Sequence, residues 1–313
     1  MLSRILVPLD GSPVAEAVLP QVIELAALRQ AEVVLLRVAL AHTFLDDTDP
    51  VEAQVRVVEE AQAYLGTIET NLAAQGLAVR SVVRYGHAAD EILDHARAGG
   101  VGMIAMSTHG RGGIRRWVLG SVAETVVRHS PVPVLLVRAA GAVVSSITAP
   151  AATETPAAPA AGASAAVVIR HILCPVDLTP TCREIMATAN AVASRFGADL
   201  TILHAVRDPL SVTCSHIPHP PLDQLREEAI RSAEETLREE MRHALGPGSH
   251  ASLVVVAGLP FQQIVRHART HNADLIVMGT EGKTGLNHAI MGSTAEQVVR
   301  RASCPVLTLR AAP

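Results

Sequence analysis

Short apolar runs alternate along this chain with longer segments in which apolar residues recur every three or four positions. The short runs predict β-strands, and the longer period predicts helices. In the first half, the strands are predicted at 4–8, 33–38, 77–83, 101–106 and 133–137, and the helices at 14–28, 51–74, 88–98 and 121–129. Because strands and helices alternate, we expect β-α-β units that form a parallel sheet.

The second half repeats this pattern, with predicted strands at 171–176, 200–205, 253–257, 273–279 and 305–309 and a long helix at 222–244. Matching residues are first 167 positions apart (177 minus 10) and later 172 (292 minus 120), which predicts a small insertion in the loop or the long helix between them. The Ala- and Pro-rich stretch between the halves lacks either period and predicts a flexible linker. We therefore predict a first domain at 1–139, a linker at 140–167 and a second domain at 168–313. The fold class is α/β, with two tandem open parallel five-stranded sheets that carry helices on both faces.

Composition narrows the function classes. Of the 313 residues, 49% are hydrophobic but only 2% are aromatic, so the core must be aliphatic. The formal net charge of −4 argues against a general nucleic-acid binder. No apolar run reaches the roughly 18 residues of a membrane span. The four cysteines form no C-x-x-C motif, and a cytoplasmic location is the expectation.

A glycine-containing motif follows the fourth predicted strand of each half. The first copy comprises 106–110, nine residues and then Gly120-Ser121, and the second comprises 278–282, nine residues and then Gly292-Ser293. Glycine permits a ligand to approach the backbone closely. The helix that follows offers unpaired N–H donors and a partial positive charge at its start, which suits a phosphate. The motif therefore predicts a phosphate site in each half.

A structural alternative exists for the serines of this motif. Ser121 and Ser293 are each followed three positions later by glutamate, which is the pattern of a helix capping box. On this alternative the serines only cap helices, and the glycines only turn the chain.

Three other chemistries are disfavoured by the residues themselves. A P-loop ending at Gly282-Lys283-Thr284 would need glycine where Val277 stands. A hydrolase triad of Ser12, His109 and Asp10 lacks the G-x-S-x-G elbow. The segment 214–220 holds one cysteine and two histidines, but its spacing is not that of a zinc site. We therefore predict no catalytic residues and no metal ligands.

The repeated motif resembles the G-x2-G-x9-G-[S/T] signature of the universal stress protein family, in its ATP-binding branch. The second half matches this signature in full, whereas the first half has Ser107 in place of the first glycine. The resemblance covers nearly the whole chain twice and identifies it as a tandem member. It implies a Rossmann-like, adenine-nucleotide α-hydrolase-like fold. It further implies that the protein binds ATP, with or without Mg²⁺, and regulates a stress response, with slow ATP hydrolysis at most. The alternative is a nucleotide-independent interaction protein of the same fold.

The resemblance also implies which residues bind. In the family, the aspartate after the first strand contacts the nucleoside and the backbone after the second strand contacts adenine. The predicted nucleotide-binding residues of the first half are Pro8, Leu9, Asp10, Val38, Met106, Ser107, His109, Gly110, Gly120, Ser121, Val122 and Ala123. Those of the second half are Val176, Asp177, Ala205, Met278, Gly279, Glu281, Gly282, Gly292, Ser293, Thr294 and Ala295. From its residue type alone, each aspartate fits an Asx-type turn equally well.

Two further expectations concern the relation of the halves. Single-domain members of the resembled family pair through their fifth strands, so we predict an intrachain pseudo-dimer of the two halves. The sequence leaves open whether whole chains also form a homo-oligomer. Because Glu281 would repel phosphate where the first half has His109, we also expect the first half to hold a triphosphate more tightly.

Overall fold

The computed structural model describes residues 3–39, 50–108, 119–138, 169–207, 222–246, 249–280 and 291–310. The predicted linker, the segment 214–220 and four predicted site residues lie outside these ranges. Those four residues are His109, Gly110, Glu281 and Gly282.

The elements of the first half are β1 (Arg4–Pro8), α1 (Pro13–Glu16), α2 (Leu19–Arg29), β2 (Glu32–Ala39), α3 (Pro50–Ala73), β3 (Val79–Tyr85), α4 (Ala88–Ala98), β4 (Met103–Ser107), α5 (Ser121–His129) and β5 (Val134–Val137). Those of the second half are β6 (His171–Val176), α6 (Cys182–Phe196), β7 (Asp199–Val206), α7 (Leu222–Leu245), β8 (Ser252–Ala257), α8 (Pro260–Thr270), β9 (Leu275–Gly279), α9 (Ser293–Arg301) and β10 (Val306–Leu309). The predicted alternation of strands and helices is confirmed in both halves.

The described strands form one continuous sheet in the order β3-β2-β1-β4-β5-β10-β9-β6-β7-β8. Within each half, all pairings are parallel, as predicted. The halves meet where β5 pairs with β10 in antiparallel orientation. The predicted pairing of the two fifth strands is therefore confirmed, and it fuses the two five-stranded sheets into one.

Apolar residues cover both faces of this sheet. Because successive strand side chains point to opposite faces, Ile5 and Val7 belong to one apolar cluster and Leu6 to the other. Helices α2, α3, α6 and α7 contribute to the first cluster, and α4, α5, α8 and α9 contribute to the second. Each cluster includes residues of both halves, so the core is continuous across the junction.

The first predicted helix, 14–28, is interrupted in the structure. The chain forms α1, breaks at Ala17 and Val18, and resumes as α2. Pro20 lies in the first turn of α2, where its missing N–H costs nothing; inside a continuous helix its ring would clash with the carbonyl four residues earlier. Ser12 caps α1, since its hydroxyl accepts a 3.1 Å hydrogen bond from the N–H of Ala15.

The insertion in the second half lies in the connection between β7 and α7. Strands β2 and β7 are 167 positions apart at both ends (199 minus 32, 206 minus 39), whereas helices α3 and α7 are 172 apart (222 minus 50, 245 minus 73). The helices are equal in length, which places the five extra residues (172 minus 167) before α7.

Among the described helices, none combines the length and apolar character that a membrane crossing requires.

Candidate functional site

A cavity of about 590 Å³ opens in the second half, at the carboxyl ends of β6, β7 and β9. The start of α9 lines the cavity, as do residues of α7 and α8. Strands β7 and β9 lie on opposite sides of β6, so the strand order reverses at this point. Open parallel sheets bind their ligands in the crevice at such a reversal. The volume is within the range of about 300–1,000 Å³ that is usual for small-molecule sites.

The structure brings the predicted second-half site residues together. Each of those that it describes lines the cavity, namely Val176, Asp177, Ala205, Met278, Gly279, Gly292, Ser293, Thr294 and Ala295. They come from three strand ends and one helix start that are far apart in sequence. Parallel pairing places these strand ends at one edge of the sheet.

The start of α9 contributes backbone N–H groups to the cavity lining. Gly292 occupies the N-cap position, and its N–H donates a 2.8 Å hydrogen bond to the carbonyl of Thr280. Glycine has no side chain, so the N-cap makes no side-chain hydrogen bond to the first turn. Ser293 is already the first helical residue, and the capping-box alternative is therefore wrong. A first turn without a side-chain cap, beside a cavity, is suited to binding an anion.

The first half repeats this backbone arrangement. The N–H of Thr108 donates to the carbonyl of Val137 at 3.0 Å, and the N–H of Gly120 donates to the carbonyl of Thr108 at 3.0 Å. Gly120 caps α5 and Ser121 is the first helical residue, so the capping-box alternative is wrong in this half too. The other described first-half predictions lie at the ends of β1, β2 and β4 or at the start of α5, namely Pro8, Leu9, Asp10, Val38, Met106, Ser107, Val122 and Ala123.

The two strand-end aspartates make local turn contacts. Oδ1 of Asp10 accepts hydrogen bonds from the N–H and the hydroxyl of Ser12, at 2.9 and 2.6 Å. Oδ1 of Asp177 accepts a 2.5 Å hydrogen bond from the hydroxyl of Thr179. The Asx-type turn is thus present at Asp10. Asp177 lines the cavity although its Oδ1 is engaged, so a turn contact and a position at the site are compatible.

Ser107 stands where the second half has Gly279. Both residues lie within β-strands, so this position does not require the left-handed conformation that favours glycine. Ser107 is 6% exposed, and its hydroxyl has no hydrogen-bond partner among the residues that the structure describes. The departure from the family signature therefore costs an unsatisfied polar group and not backbone strain.

His204 lines the cavity and was not predicted. Its side chain is 6% exposed, and its Nδ1 lies 2.7 Å from the carbonyl oxygen of Val176. Because a carbonyl only accepts, Nδ1 carries the hydrogen, and the contact ties the end of β7 to the end of β6. The sequence signal was a single polar residue within an otherwise apolar stretch of strand.

One wall of the cavity is a stripe of small residues on α7. Ala229, Ser232, Ala233 and Thr236 recur at the spacing of a single helix face. In a helix this rich in charge, a stripe of alanine, serine and threonine is the signal that sequence analysis overlooked. Apolar residues from other elements complete the wall, namely Ile185, Leu203, Pro260 and Ile264.

Leu178 also lines the cavity, in an unusual backbone conformation. Its φ is +52°, whereas the equivalent residue of the first half (178 minus 167 is 11) is Gly11 at +82°. A left-handed leucine costs about 1–2 kcal/mol. Such strain is concentrated at functional sites in folded proteins, because the surrounding structure must hold it in place.

Exposed Arg207 lies among the lining residues. In the part of the chain that the structure describes, no group of three or more metal-binding side chains is suited to hold an ion.

Comparison with known proteins defines the class. The profile of the universal stress protein family matches residues 1–138 and 169–310. The chain therefore belongs to the universal stress protein family and carries two copies of its domain in tandem. This confirms the resemblance seen in the sequence.

Individual relatives agree with this class. A universal stress protein of Methanocaldococcus jannaschii is 32% identical over 142 residues, which are 45% of this chain and 82% of the relative. One from Mycobacterium tuberculosis is 28% identical over 208 residues, which are 66% of this chain and 61% of the relative. The crystal structure of a universal stress protein from Archaeoglobus fulgidus aligns with a TM-score of 0.68 at 21% identity, over 99% of both chains. That likeness establishes the shared α/β fold over the full length.

Proposed function

We propose that this universal stress protein binds ATP, or a related adenine nucleotide, in the second-half cavity and acts as a stress-response regulator. The observation that carries the proposal is the continuity of one cavity from apolar walls to the start of α9 without a side-chain cap. A nucleotide has the same polarity, with a base at one end and phosphates at the other.

The apolar part of the cavity fits a nucleoside. Leu203, Ile185 and Ile264 offer aliphatic surface to a planar base. The backbone of Ala205, at the end of β7, is the position from which the family resemblance predicts adenine contacts. Asp177 supplies a carboxylate at the end of β6, where a ribose hydroxyl would donate to it.

The polar part fits phosphate. The first three residues of α9 line the cavity, and a nine-residue helix directs its partial positive charge toward that end. Mg²⁺, if it accompanies ATP, would be held mainly by the phosphate oxygens. Asp177 is the acidic residue among the described residues that line the cavity. The segment 281–290 follows Thr280 in the sequence, and we propose Glu281 and Gly282 as further contacts. We also retain the division into domains at 1–139 and 168–313 with a linker at 140–167.

Mass spectrometry of the purified protein under non-denaturing conditions tests the proposal directly. We expect a mass increment that matches an adenine nucleotide, either carried through purification or gained on addition of ATP. The same spectrum counts the subunits of any homo-oligomer. A chain that gains no nucleotide mass at saturating ATP would contradict the proposal.

A substitution then locates the site. Gly292→Val places a branched side chain at the cap of α9, in an extended conformation (φ −59°, ψ 140°) that valine tolerates. We expect ATP affinity to fall by at least about tenfold, or 1.4 kcal/mol. Gly120→Val is the matched control, because it makes the same change at the cap of α5, outside the second-half cavity. Among the described residues, an added Cβ there meets the carbonyl of Thr108, at 3.6 Å. Unchanged ATP affinity in a folded Gly292→Val protein would place the nucleotide elsewhere.

A further inference from the structure

We propose that the two halves have diverged into one nucleotide site and one closed site. In the first half, the side chains of Arg37 and Tyr64 occupy the place that the second half leaves open for the nucleotide. This inference rests on the proposed function, because it states which of two equivalent positions takes the ligand. It reverses the expectation that the first half holds a triphosphate more tightly. Glu281 and His109, on which that expectation rests, lie outside the described ranges.

The long helices show the divergence residue by residue. Because α3 and α7 are 172 positions apart at both ends, Thr236 corresponds to Tyr64 (236 minus 64) and Ser232 to Glu60 (232 minus 60). The other two members of the stripe, Ala229 and Ala233, correspond to Val57 and Ala61, so three of its four small residues are replaced in the first half by larger side chains. Tyrosine in place of threonine adds a whole aromatic ring at the wall.

The strand that faces this helix has changed together with it. His204 corresponds to Arg37 (204 minus 37 is 167). The guanidinium of Arg37 lies over the ring of Tyr64, 4.8 Å from its centroid. The hydroxyl of Tyr64 donates a 2.9 Å hydrogen bond to the carboxylate of Glu16. The ring is therefore fixed by a cation–π contact on its face and by a hydrogen bond at its tip.

The surroundings of Tyr64 place it beside Asp10, the first-half counterpart of Asp177. The half-buried ring packs against the apolar core. Burial raises the pKa of its phenol, and the hydrogen bond and charge of Glu16 raise it further; Arg37 opposes this shift, and the charge of Asp10 adds to it. Asp10 is thus an electrostatic neighbour of Tyr64. A tyrosine at that position stands where the nucleoside would have to lie.

The second half directs the corresponding polar contact away from its cavity. Arg183 stands at the position of Glu16 (183 minus 16 is 167), and its guanidinium donates a 2.9 Å hydrogen bond to Glu240. Glu240 is four residues beyond Thr236, one turn farther along α7. Here the helix pair is joined beside the cavity and not across it, which leaves the wall at Thr236 open.

Calorimetry of the full chain with ATP and Mg²⁺ tests the closed site. We expect one ATP per chain. Ser293→Glu puts a carboxylate in the first turn of α9, where it favours the helix but repels phosphate, and binding should weaken by at least about tenfold. Ser121→Glu is the matched change at α5, and it should leave binding unchanged because no nucleotide reaches that helix.

The decisive variant gives the first half the side chains of the second. Arg37→His with Tyr64→Thr should raise the stoichiometry toward two, and adding Ser121→Glu should return it to one. Two ATP sites in the parent chain, or one site in a folded double variant, would contradict the proposal that the first-half site is closed. Either result would leave the proposed nucleotide binding standing. Loss of all binding in the Ser121→Glu protein alone would do the same. No ATP binding by the parent or any variant would instead overturn the proposed function and this inference with it.

Discussion

Leu135 pairs with Leu307 across the antiparallel junction of the two half-sheets. The two leucines are also equivalent positions of the repeat, because 307 minus 135 is 172. A pseudo-twofold axis therefore passes between them, and the contact is isologous, as in a symmetric dimer. Both side chains are buried and belong to the same apolar cluster. The two domains of the chain are thus joined through equivalent surfaces, formed by β5 in the first half and β10 in the second.

The first prediction concerns this junction. Leu135→Ala and Leu307→Ala should each lower the free energy of unfolding by about 2–4 kcal/mol. Because the two side chains face each other, their effects should couple by about 0.5 kcal/mol or more in a double-mutant cycle measured by urea unfolding. Leu135→Ala combined with Leu203→Ala, which lies in the other cluster, is the control and should be additive. Additive losses at the junction pair would contradict the contact.

The second prediction concerns two equivalent helix ends. Gln30 ends α2 at φ +50°, and Gly197 ends α6 at φ +62°. Gln30 is exposed, so Gln30→Gly should raise the free energy of unfolding by about 1 kcal/mol through relief of left-handed strain. Gly197→Ala should lower it by a similar amount, since no atom of the described residues lies within 4 Å of the added Cβ and the change falls on the backbone conformation. A stabilising Gly197→Ala would refute this explanation.

The third prediction uses two buried strand hydroxyls. Ser107→Ala removes a hydroxyl that has no partner among the described residues and should stabilise the fold by about 1 kcal/mol. Thr308→Val is the comparison, because the Thr308 hydroxyl donates a 3.1 Å hydrogen bond across the junction to the carbonyl of Val134. Its loss should cost about 1 kcal/mol. Chemical denaturation of both variants measures the contrast, and a destabilising Ser107→Ala would indicate a partner for that hydroxyl.

The fourth prediction is a pH dependence at His267. Burial lowers the pKa of His267 to about 4, with further contributions from His271, His171 and Arg266. The ring of His271 stacks on it with centroids 3.9 Å apart. Below about pH 6.5, His267 is protonated in the unfolded chain but stays neutral in the folded protein. The free energy of unfolding therefore falls as the pH drops from about 6.5 toward about 4.

His267→Gln should reduce the slope of unfolding free energy against pH in that window. Denaturant titrations at several pH values measure it. His243→Gln, on the exposed face of α7, controls for the loss of a histidine as such. If the His267→Gln protein keeps the slope of the parent, this histidine does not carry the effect.

The sequence predicted the layout of the site better than its walls. The strand ends and helix start follow from local signals, such as Asp177 after an apolar run and Gly292 before a helix. The wall of the cavity depends on which face of α7 packs toward the sheet, and on contacts between side chains that are far apart in the sequence. The contact between Arg37 and Tyr64 joins β2 to α3, and no local sequence pattern predicts it. The helix break before Pro20 was not predicted, because the helical spacing of apolar residues continues across it from 14 to 28.

A crystal structure of the full chain grown with ATP and Mg²⁺ tests the central claim most directly. We predict one nucleotide in the second-half cavity. Its base should lie against Leu203 and its phosphates at the start of α9, with Tyr64 still stacked under Arg37 in the first half. ATP bound at the first-half strand ends, or bound away from β6, β7 and β9, would contradict the account.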